Sequence, residues 1–300
     1  MSPVVGVVVS GGALDGRWIT DLADLLPECE VVDAETQADE VEILVVGNPP
    51  ASILSFFPRL RFVQSVWAGP DRLRELPLDV PVARMVAPGL VEYMAEFVSM
   101  AVLMLHRQVP AYRRAQAARR WQPLPAMPAR SRRVGVLGYG ELGRPAASRL
   151  AEAGFDVVAW ARSPRNDPIP VLTGQDGYRE VLARSEILVD VLPLTPETRH
   201  MLDRSAFESM PKGASLVNVG RGAHVVEADL LQALDEGHLS EALLDVFEEE
   251  PLPEDHPFWS HPRVTVFPHV AAPSESTDLA PYVADNIRRF IAGETPRFLV

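Results

Sequence analysis

The chain alternates short apolar runs with longer stretches in which apolar residues recur at helical spacing. Short apolar runs bounded by turn residues are typical of buried strands in a parallel sheet. The first hundred residues contain five such runs: Val4–Val9, Glu30–Asp33, Glu42–Val46, Arg61–Val66 and Val82–Val86. Helices are predicted between them at Asp15–Leu26 and Ala51–Phe57. Because strands that alternate with helices are joined by right-handed crossovers, this part of the chain predicts one α/β domain.

A long helical pattern follows from Glu92 to Arg120. Its first half, Tyr93–Leu105, is apolar nearly all round, which predicts a well-buried helix. Pro110 is expected to end or kink this helix. Beyond it lies a basic patch with two interpretations, a solvated helix face or a surface for a subunit or an anionic ligand. Its residues are Arg113, Arg114, Arg119, Arg120 and Trp121.

A stiff Pro-rich segment, Pro123–Arg130, precedes a second run of alternating elements. The later predicted strands are Phe155–Trp160, Ile187–Val191, Ser215–Val219, Ala242–Val246 and Val264–Phe267. The later predicted helices are Tyr178–Arg184, Arg204–Ser209, Glu227–Glu236 and Ser274–Ala292. The sequence therefore predicts a second α/β domain. One alternative is that the last helix packs against the first domain, which would make that domain discontinuous in sequence.

A glycine motif opens the second domain. The apolar run Val134–Leu137 predicts a strand, Gly138, Gly140 and Gly143 form G-x-G-x-x-G, and Arg144–Ala153 predicts a helix. The first glycine permits a tight turn, the second a close approach of pyrophosphate, and the third close packing of the helix. A helix start also favours phosphate through its free N–H groups. The motif therefore predicts a dinucleotide site, a simple glycine turn being the alternative.

The next strand indicates which dinucleotide is bound. Sites that prefer NAD(H) carry an acidic residue near the end of this strand, where it binds the ribose 2′-hydroxyl. Here that position is Ala161, and Arg162, Ser163 and Arg165 follow. Without a carboxylate, a 2′-phosphate is not repelled, and two guanidinium groups can bind it. We predict NADP(H) as the preferred cofactor, with NAD(H) as the alternative. A solvated Arg-rich turn is the other interpretation of this segment.

Three later strand ends bring ionisable residues to one edge of the predicted sheet. Arg221 lies between two glycines, Asp245 is followed by the acidic residues 248–250, and His269 follows a proline. Ligands of parallel α/β sheets bind beyond the carboxyl ends of the strands. A histidine can protonate the alkoxide formed by carbonyl reduction, a nearby carboxylate favours the imidazolium, and an arginine can bind a carboxylate. This set suits the reduction of an oxo acid.

Composition excludes several classes of function. The 41 acidic residues outnumber the 28 basic ones and give a net charge of −13, which disfavours general nucleic-acid or anionic-membrane binding. Cys29 is the only cysteine, and no metal-ligand spacing occurs in the sequence. His224 suits a polar role in a loop, and the remaining histidines lack a carboxylate signature nearby: His106, His200, His238, His256 and His261.

The amino terminus of the sequence predicts a strand, because it lacks a basic start and a long apolar core. We also expect no apolar run to approach the ~20 residues that span a membrane. The expected location is therefore the cytoplasm.

Several segments together resemble the D-isomer-specific 2-hydroxyacid dehydrogenases, most closely their glyoxylate/hydroxypyruvate reductase branch. The resemblance covers nearly the whole chain and is strongest from about Tyr93 to Ala272. The matching segments are Ala95–Val98, Leu105–Arg107, Val136–Gly143, Leu192–Thr198, Asn218–Gly222, Leu244–Pro253 and Pro268–Ala272.

The resemblance implies a role for each matching residue. Arg221 would hold the carboxylate and carbonyl of a 2-oxo acid, and His269 would be the acid/base. Glu250 would pair with His269, because the family's catalytic glutamate directly precedes the proline, five residues after Asp245. Asp245 would contact the nicotinamide carboxamide. The implied cofactor-binding residues are Gly138, Tyr139, Gly140, Glu141, Leu142, Gly143, Arg162, Ser163, Arg165, Leu192, Pro193, Leu194, Thr198, Val219, Gly220, Asp245, His269 and Ala271.

The resemblance also implies a substrate loop after the fourth strand, at Ser65–Asp71. Backbone N–H groups around Ala68 and Gly69 would bind the substrate carboxylate. Trp67 has two interpretations, a residue that restricts substrate size or a core residue. Pro70 replaces the small aliphatic residue usual in the family and removes one possible donor.

The resulting expectation is an α/β protein of two parallel-sheet domains, Rossmann-like or flavodoxin-like, with an interdomain cleft. Residues 1–98 and 274–300 would form the substrate-binding (catalytic) domain, and residues 99–273 the NAD(P)-binding Rossmann domain. The implied activity is NADPH-dependent reduction of glyoxylate or hydroxypyruvate to the D-2-hydroxy acid by a homodimer. The alternatives are another D-2-hydroxyacid dehydrogenase, such as a phosphoglycerate-type enzyme, or a non-catalytic dinucleotide sensor or corepressor.

Overall fold

The structure is a computed structural model that describes residues 2–8, 14, 16–47, 51–69, 71–74 and 79–300. In chain order the helices and strands are β1 (Val4–Val7), α1 (Arg17–Leu25), β2 (Glu30–Asp33), β3 (Ile43–Val46), β4 (Phe62–Ser65), α2 (Asp71–Arg74), β5 (Val82–Ala83), α3 (Pro88–His106), α4 (Val109–Ala117), β6 (Arg133–Leu137), α5 (Gly143–Glu152), β7 (Asp156–Trp160), β8 (Val171–Leu172), α6 (Gly174–Arg184), β9 (Ile187–Asp190), α7 (Arg204–Ser209), β10 (Ala214–Asn218), α8 (Glu227–Asp235), β11 (Leu239–Leu244), β12 (Val264–Val266) and α9 (Ser276–Ile291).

The chain divides into two units. Unit 1 comprises Met1–Leu90 and Pro273–Val300, and unit 2 comprises Val91–Ala272. The first boundary therefore lies inside α3, at 90/91, whereas the sequence predicted 98/99. No change in composition marks a boundary inside a continuous helix, so the sequence had no signal for it. That the two units divide substrate and cofactor binding stays a prediction.

Unit 1 contains a five-stranded parallel sheet in the order β2-β1-β3-β4-β5. The three central strands are buried along their whole length, which explains their nearly continuous apolar sequence. The last helix of the chain, α9, packs against α1 and β4. Phe290 of α9 stacks on Phe62 of β4 with ring centroids 4.9 Å apart.

A buried polar network joins α9 to the sheet of unit 1. Asn286 Nδ2 donates to Gln64 Oε1 at 2.8 Å, and both side chains are buried. Asn286 also accepts from the N–H of Arg297 at 2.8 Å and donates to its carbonyl at 3.1 Å. One side chain therefore satisfies a buried strand residue and the backbone of the carboxyl-terminal segment.

Unit 2 contains a seven-stranded parallel sheet in the order β12-β11-β10-β9-β6-β7-β8. The order reverses between β6 and β9, and in such sheets ligands bind beyond the strand ends at this point. The predicted α/β class with two parallel sheets is confirmed. The sequence missed β8, a strand of only two residues.

Two shorter elements also differ from the prediction. The segment predicted as a helix over 51–57 is a 3₁₀ helix at Ala51–Phe56. It ends before Phe57, because a residue that precedes proline, here Pro58, disfavours the α conformation. The sequence also missed the single-turn helix α2.

The predicted break in the long helical segment occurs before Pro110. Helix α3 ends at His106, and Gln108 has φ +58°, a left-handed conformation. Pro110 lies in the first turn of α4, where its missing N–H breaks no helical hydrogen bond. The break therefore comes from the left-handed residue, and the proline starts the second helix.

Helix α3 also corrects the expectation that no apolar run approaches the length of a membrane span. It has 19 residues with a mean hydropathy of 1.4 in its most apolar window, long and apolar enough to cross a membrane. The helix buries a row of side chains within the described structure: Leu90, Met94, Val98, Val102 and Leu105. Core helices of soluble proteins pass the same test of length and composition.

The network in unit 1 predicts a specific loss of stability. Replacing Asn286 with Ala leaves Gln64 Oε1 and the Arg297 N–H without their buried partner. We expect the free energy of unfolding to fall by about 1–3 kcal/mol. Equilibrium unfolding in urea measures the change. The control is Gln116→Ala on the exposed surface of α4, and equal midpoints for the two variants would contradict the expectation.

Candidate functional site

The glycine motif forms a tight turn between β6 and α5. Gly138 has φ +101°, and a Cβ there would lie 2.9 Å from the carbonyl oxygen of Val191. A Cβ on Gly143 would lie 2.0 Å from the carbonyl oxygen of Gly138. By contrast, a Cβ on Gly140 would meet nothing within 4 Å. Packing therefore requires the first and third glycines, and the second keeps open space at the start of α5. This space fits a phosphate group.

The residue between the first two glycines is fixed by a polar contact. Tyr139 is buried, and its hydroxyl donates to Asp167 Oδ1 at 2.8 Å. Burial, together with the hydrogen bond and charge of Asp167, raises the pKa of Tyr139 to about 12. Arg144, in the first turn of α5, forms an ion pair with Asp167 Oδ2 at 2.9 Å. The carboxylate of Asp167 therefore contacts both the glycine turn and the helix that follows it.

The loop after β7 carries the residues predicted to select the cofactor. Ala161 is buried at the strand end, whereas Arg162, Ser163 and Arg165 are exposed. Arg162 also lies near the loop after β9. A hydrogen bond from Thr195 is the main cause that lowers the pKa of Glu197, and the charge of Arg162 lowers it further. The exposed arginines are thus positioned at the carboxyl edge of the sheet.

The loop after β9 contains the segment Leu192–Leu194 and is held by Thr198. The hydroxyl of Thr198 donates to the carbonyl of Pro193 at 2.9 Å and accepts from the N–H of Thr195 at 2.8 Å. Leu192 and Thr198 are buried. The predicted cofactor-lining residues of this loop therefore form an ordered turn; whether they contact the cofactor stays a prediction.

The end of β10 presents Arg221. Asn218 is fully buried, accepts from the N–H of Gly220 at 3.0 Å and donates to the carbonyl of Arg221 at 3.0 Å. A Cβ on Gly222 would lie 1.8 Å from the carbonyl carbon of Phe247, so no other residue fits this contact. The turn that carries Arg221 therefore packs directly against the segment after β11.

Asp245, which follows β11, holds the loop after β12. Its Oδ1 accepts from the N–H of Val270 at 2.8 Å, and its Oδ2 accepts from the N–H of Ala271 at 2.9 Å. Its carbonyl accepts from the N–H of His269 at 2.8 Å. Burial raises the pKa of the Asp245 carboxyl, against the opposite effect of these N–H donors. The fully engaged carboxylate fixes the backbone that bears His269.

His269 and Glu250 form a hydrogen-bonded pair beside this loop. His269 Nδ1 lies 2.8 Å from Glu250 Oε2, and Glu250 Oε1 accepts from the N–H of Phe247 at 2.9 Å. Burial raises the pKa of Glu250, but the hydrogen bond and charge of His269, the Phe247 N–H and the charge of Arg221 together lower it. Glu250 is therefore ionised at neutral pH and binds the imidazole ring of His269 at Nδ1.

One buried pair was missed by the sequence analysis. His224, expected to have a polar role in a loop, is fully buried with Nδ1 2.6 Å from Asp190 Oδ2. Burial lowers the pKa of His224, but the charge and hydrogen bond of Asp190 raise it overall. Asp190 also accepts from the N–H of Leu192 at 3.0 Å. The pair joins the loop after β9 to the turn after Arg221. The only feature of the sequence that indicated this pair was Asp190, an aspartate at the end of an apolar strand.

Three histidines without a carboxylate signature in the sequence have carboxylate partners in the fold. The ring nitrogens and carboxylate oxygens are 3.4 Å apart in His200–Glu248 and 3.2 Å apart in both His256–Glu227 and His261–Asp235. The paired residues are at least 26 positions apart in the chain, so local spacing could not reveal them.

The predicted substrate loop lies in unit 1. Ser65 Oγ accepts from the N–H of Trp67 at 3.0 Å, and Arg84 donates to the carbonyl of Ala68 at 3.0 Å. Trp67, Ala68 and Gly69 are half-buried, so Trp67 is not a fully buried core residue. Pro70 lies outside the described residues. Substrate contacts by this loop stay a prediction.

The fold and these strand ends are those of a dinucleotide-dependent dehydrogenase. Residues 99–271 match the family model described as "D-isomer specific 2-hydroxyacid dehydrogenase, NAD binding domain". The chain belongs to the D-isomer specific 2-hydroxyacid dehydrogenases, as the sequence resemblance implied.

Individual relatives cover almost the whole chain. Glyoxylate/hydroxypyruvate reductase A of Serratia proteamaculans is 37% identical over 294 residues, which are 95% of this chain and 94% of the relative. A D-isomer specific 2-hydroxyacid dehydrogenase of Xanthobacter autotrophicus was solved with NADPH and MES. Its structure is similar to that of this chain, with a TM-score of 0.93 and 38% sequence identity. The match covers 100% of this chain and 98% of the Xanthobacter chain. The NADPH-dependent glyoxylate/hydroxypyruvate reductase of Sinorhizobium meliloti, solved with NADP and sulfate, has a TM-score of 0.92 and 35% identity with the same coverage.

The environment of Glu250 predicts how stability depends on pH. Its pKa in the folded protein lies below the ordinary 4.5, so the ionised carboxylate stabilises the fold. This contribution is fully present above the ordinary pKa and is lost as the pH falls through the lowered pKa. Glu250→Gln should therefore be less stable than the wild type near pH 6 to 7, and the difference should shrink on acidification below about pH 4.5.

Urea unfolding across this pH range measures the difference. Glu249→Gln is the matched control, because the exposed neighbour precedes Glu250 directly. A stability difference for Glu250→Gln that grows on acidification would contradict the lowered pKa of Glu250.

Proposed function

We propose that the protein uses NADPH to reduce a small 2-oxo acid, glyoxylate or hydroxypyruvate, to the D-2-hydroxy acid. The observation that carries this proposal is the pair formed by His269 Nδ1 and Glu250 Oε2, 2.8 Å apart, at the strand edge that also bears Arg221. A proton donor, its carboxylate partner and a cation for an anionic substrate are the groups that carbonyl reduction of an oxo acid needs.

Each of the three residues has a separate task. Arg221 binds the substrate carboxylate and polarises the carbonyl oxygen. His269 donates the Nε2 proton to that oxygen as the alkoxide forms. Glu250 accepts from Nδ1 and stabilises the imidazolium form before the transfer. NADPH, when bound, supplies the hydride that adds to the carbonyl carbon.

Several observations support NADP(H) as the cofactor. The space above Gly140 fits a phosphate at the start of α5, and a buried alanine occupies the strand-end position where NAD(H) sites carry a carboxylate. Arg162 and Arg165 are exposed beside it. The similar proteins of Xanthobacter autotrophicus and Sinorhizobium meliloti were solved with NADPH and NADP respectively. We infer NADP(H) as the preferred cofactor, and NAD(H) as a weaker alternative.

The names of the relatives support the substrate class. Relatives in Serratia and Yersinia, each matched over 94% of its length, are both glyoxylate/hydroxypyruvate reductase A. We further propose a cytoplasmic homodimer. Large apolar side chains exposed within one segment of unit 2 support association: Met100, Leu103, Tyr112, Trp121 and Met127.

Oxidation of NADPH with a panel of 2-oxo acids tests the proposal. We expect turnover with glyoxylate and hydroxypyruvate and D configuration in the glycerate formed. Preference for a phosphorylated hydroxy acid with NAD(H) would indicate a phosphoglycerate-type enzyme. NADPH binding without turnover of any 2-oxo acid would indicate a sensor or corepressor.

His269→Gln tests the proton donor. Glutamine retains hydrogen bonding but has no acidic proton near neutral pH, so kcat should fall by about two to four orders of magnitude. NADPH affinity should change little. Steady-state kinetics and an NADPH titration measure the two effects. His261→Gln, at a histidine paired with exposed Asp235, is the control; unchanged turnover in His269→Gln would refute the assignment.

Arg162→Ala tests the selection of cofactor. Loss of a guanidinium near a 2′-phosphate removes a charge-assisted hydrogen bond, so the KM for NADPH should rise by about ten-fold or more, with little change for NADH. Arg179→Ala, at an exposed arginine on α6, is the matched control. Equal effects on the two cofactors would contradict the predicted role.

A further inference from the structure

We propose that Asp167 is a positioning residue for cofactor selection, which holds the arginine-bearing loop after β7 against the glycine turn. This inference rests on the proposed preference for NADP(H). It concerns neither the proton donor nor the substrate-binding arginine. The proposal stands on the contacts of one carboxylate with two different elements of the cofactor site.

The loop between β7 and β8 is closed at its base and exposed at its tip. The N–H of Ala161 donates to the carbonyl of Leu172 at 3.0 Å, and the N–H of Ala159 donates to that of Pro170 at 2.9 Å. Ile169 is buried in the core of unit 2. Residues 162–166 are all exposed. Asp167 is therefore the first anchored residue after the exposed tip that carries Arg162 and Arg165.

The carboxylate of Asp167 binds across to the glycine turn. Its Oδ1 accepts from the Tyr139 hydroxyl at 2.8 Å, and its Oδ2 lies 2.9 Å from Arg144 Nε. Tyr139 lies between the first two glycines of the motif, and Arg144 follows the third. The Tyr139 ring belongs to the same buried core as Ala161 and Ile169. One side chain thus sets the spacing between the phosphate cradle and the arginine loop.

The charge of Asp167 is compatible with a neighbouring anion because it is neutralised locally. Its side chain is only 9% exposed, and both carboxylate oxygens are occupied by donors. An unpaired carboxylate here would oppose a 2′-phosphate. Paired with Arg144 and Tyr139, it instead serves as an anchor. Because the loop tip has no other anchor of this kind among the contacts described above, loss of Asp167 should loosen Arg162 and Arg165 together.

Binding of two adenine nucleotides tests this role without catalysis. 2′,5′-ADP carries the 2′-phosphate and 5′-AMP lacks it, so their affinities isolate the contribution of the arginine loop. For Asp167→Ala we expect the Kd for 2′,5′-ADP to rise by about ten-fold and that for 5′-AMP by less than about two-fold. Isothermal titration calorimetry on the full chain measures both. NADPH and NADH titrations should show the same split.

A second variant tests whether Asp167 acts through Tyr139. Tyr139→Phe removes the hydroxyl alone and should raise the Kd for 2′,5′-ADP by a smaller factor than Asp167→Ala does. If the two side chains act as one anchor, Tyr139→Phe should have almost no further effect on the Asp167→Ala protein. Asp176→Ala, at an aspartate that is 99% exposed, is the control and should bind both nucleotides as the wild type does.

Several outcomes would overturn the proposal. Equal weakening of 2′,5′-ADP and 5′-AMP would make Asp167 a support of the glycine turn alone, and unchanged or tighter 2′,5′-ADP binding would exclude an anchoring role. Thermal unfolding monitors whether each variant folds. If Asp167→Ala does not fold, Asp167→Asn takes its place and should still weaken the binding of 2′,5′-ADP more than that of 5′-AMP. Wild-type affinity of Asp167→Asn for 2′,5′-ADP would overturn the proposal.

The nucleotide titrations are independent of the proposed reaction. A wild-type protein that binds NADPH but reduces no 2-oxo acid would contradict the proposed function and leave this comparison valid. A wild type that binds 2′,5′-ADP no better than 5′-AMP would contradict the cofactor assignment itself and, with it, the role of Asp167.

Discussion

The buried carboxylate of Asp245 sets the geometry of the loop that presents His269. A carboxylate removed from water is stable only when hydrogen-bond donors occupy its oxygens. Here the N–H groups of Val270 and Ala271 fill that need, and each oxygen has one donor. The chain turns sharply directly before these donors, where His269 takes a left-handed conformation with φ +53°. The hydrogen bonds of one buried carboxyl group therefore fix the backbone from which the histidine side chain extends.

The same edge of the sheet depends on close approaches of the backbone. The turn after β10 lies so near Phe247 that only glycine fits at position 222. That approach brings Arg221 close enough to lower the pKa of Glu250, whose carboxylate also binds His269. A side chain at 222 would separate these two segments and weaken the electrostatic link. The arrangement of Arg221, Glu250 and His269 is thus a consequence of packing between neighbouring strand ends.

The sequence predicted the fold well because its signals are local. Nearly every strand could be recognised from a short apolar run, and G-x-G-x-x-G from its place between strand and helix. Residues with distant partners were not recognised from local patterns, and the pair of His269 and Glu250, 19 positions apart, was predicted only through the family resemblance. His224 looked like a loop residue because its partner, Asp190, lies 34 positions away. Asp167 carried no signal, since its contacts with Tyr139 and Arg144 exist only after β6 and β7 pair. The left-handed break at Gln108 was assigned to Pro110 because proline is the stronger local signal.

The charge distribution explains how an acidic chain can bind anionic ligands. A net charge of −13 repels a dinucleotide phosphate at long range and should slow its approach at low salt. At physiological ionic strength, however, charges beyond about 8 Å are strongly screened. Under the proposed function, affinity then depends on groups within contact distance: the start of α5, the exposed Arg162 and Arg165, and Arg221 after β10. Three carboxylates at this edge, those of Asp167, Asp190 and Glu250, are each paired with a basic side chain, which reduces their repulsion of an anion. Local pairing of the carboxylates, more than the net charge, therefore makes this edge suitable for anions.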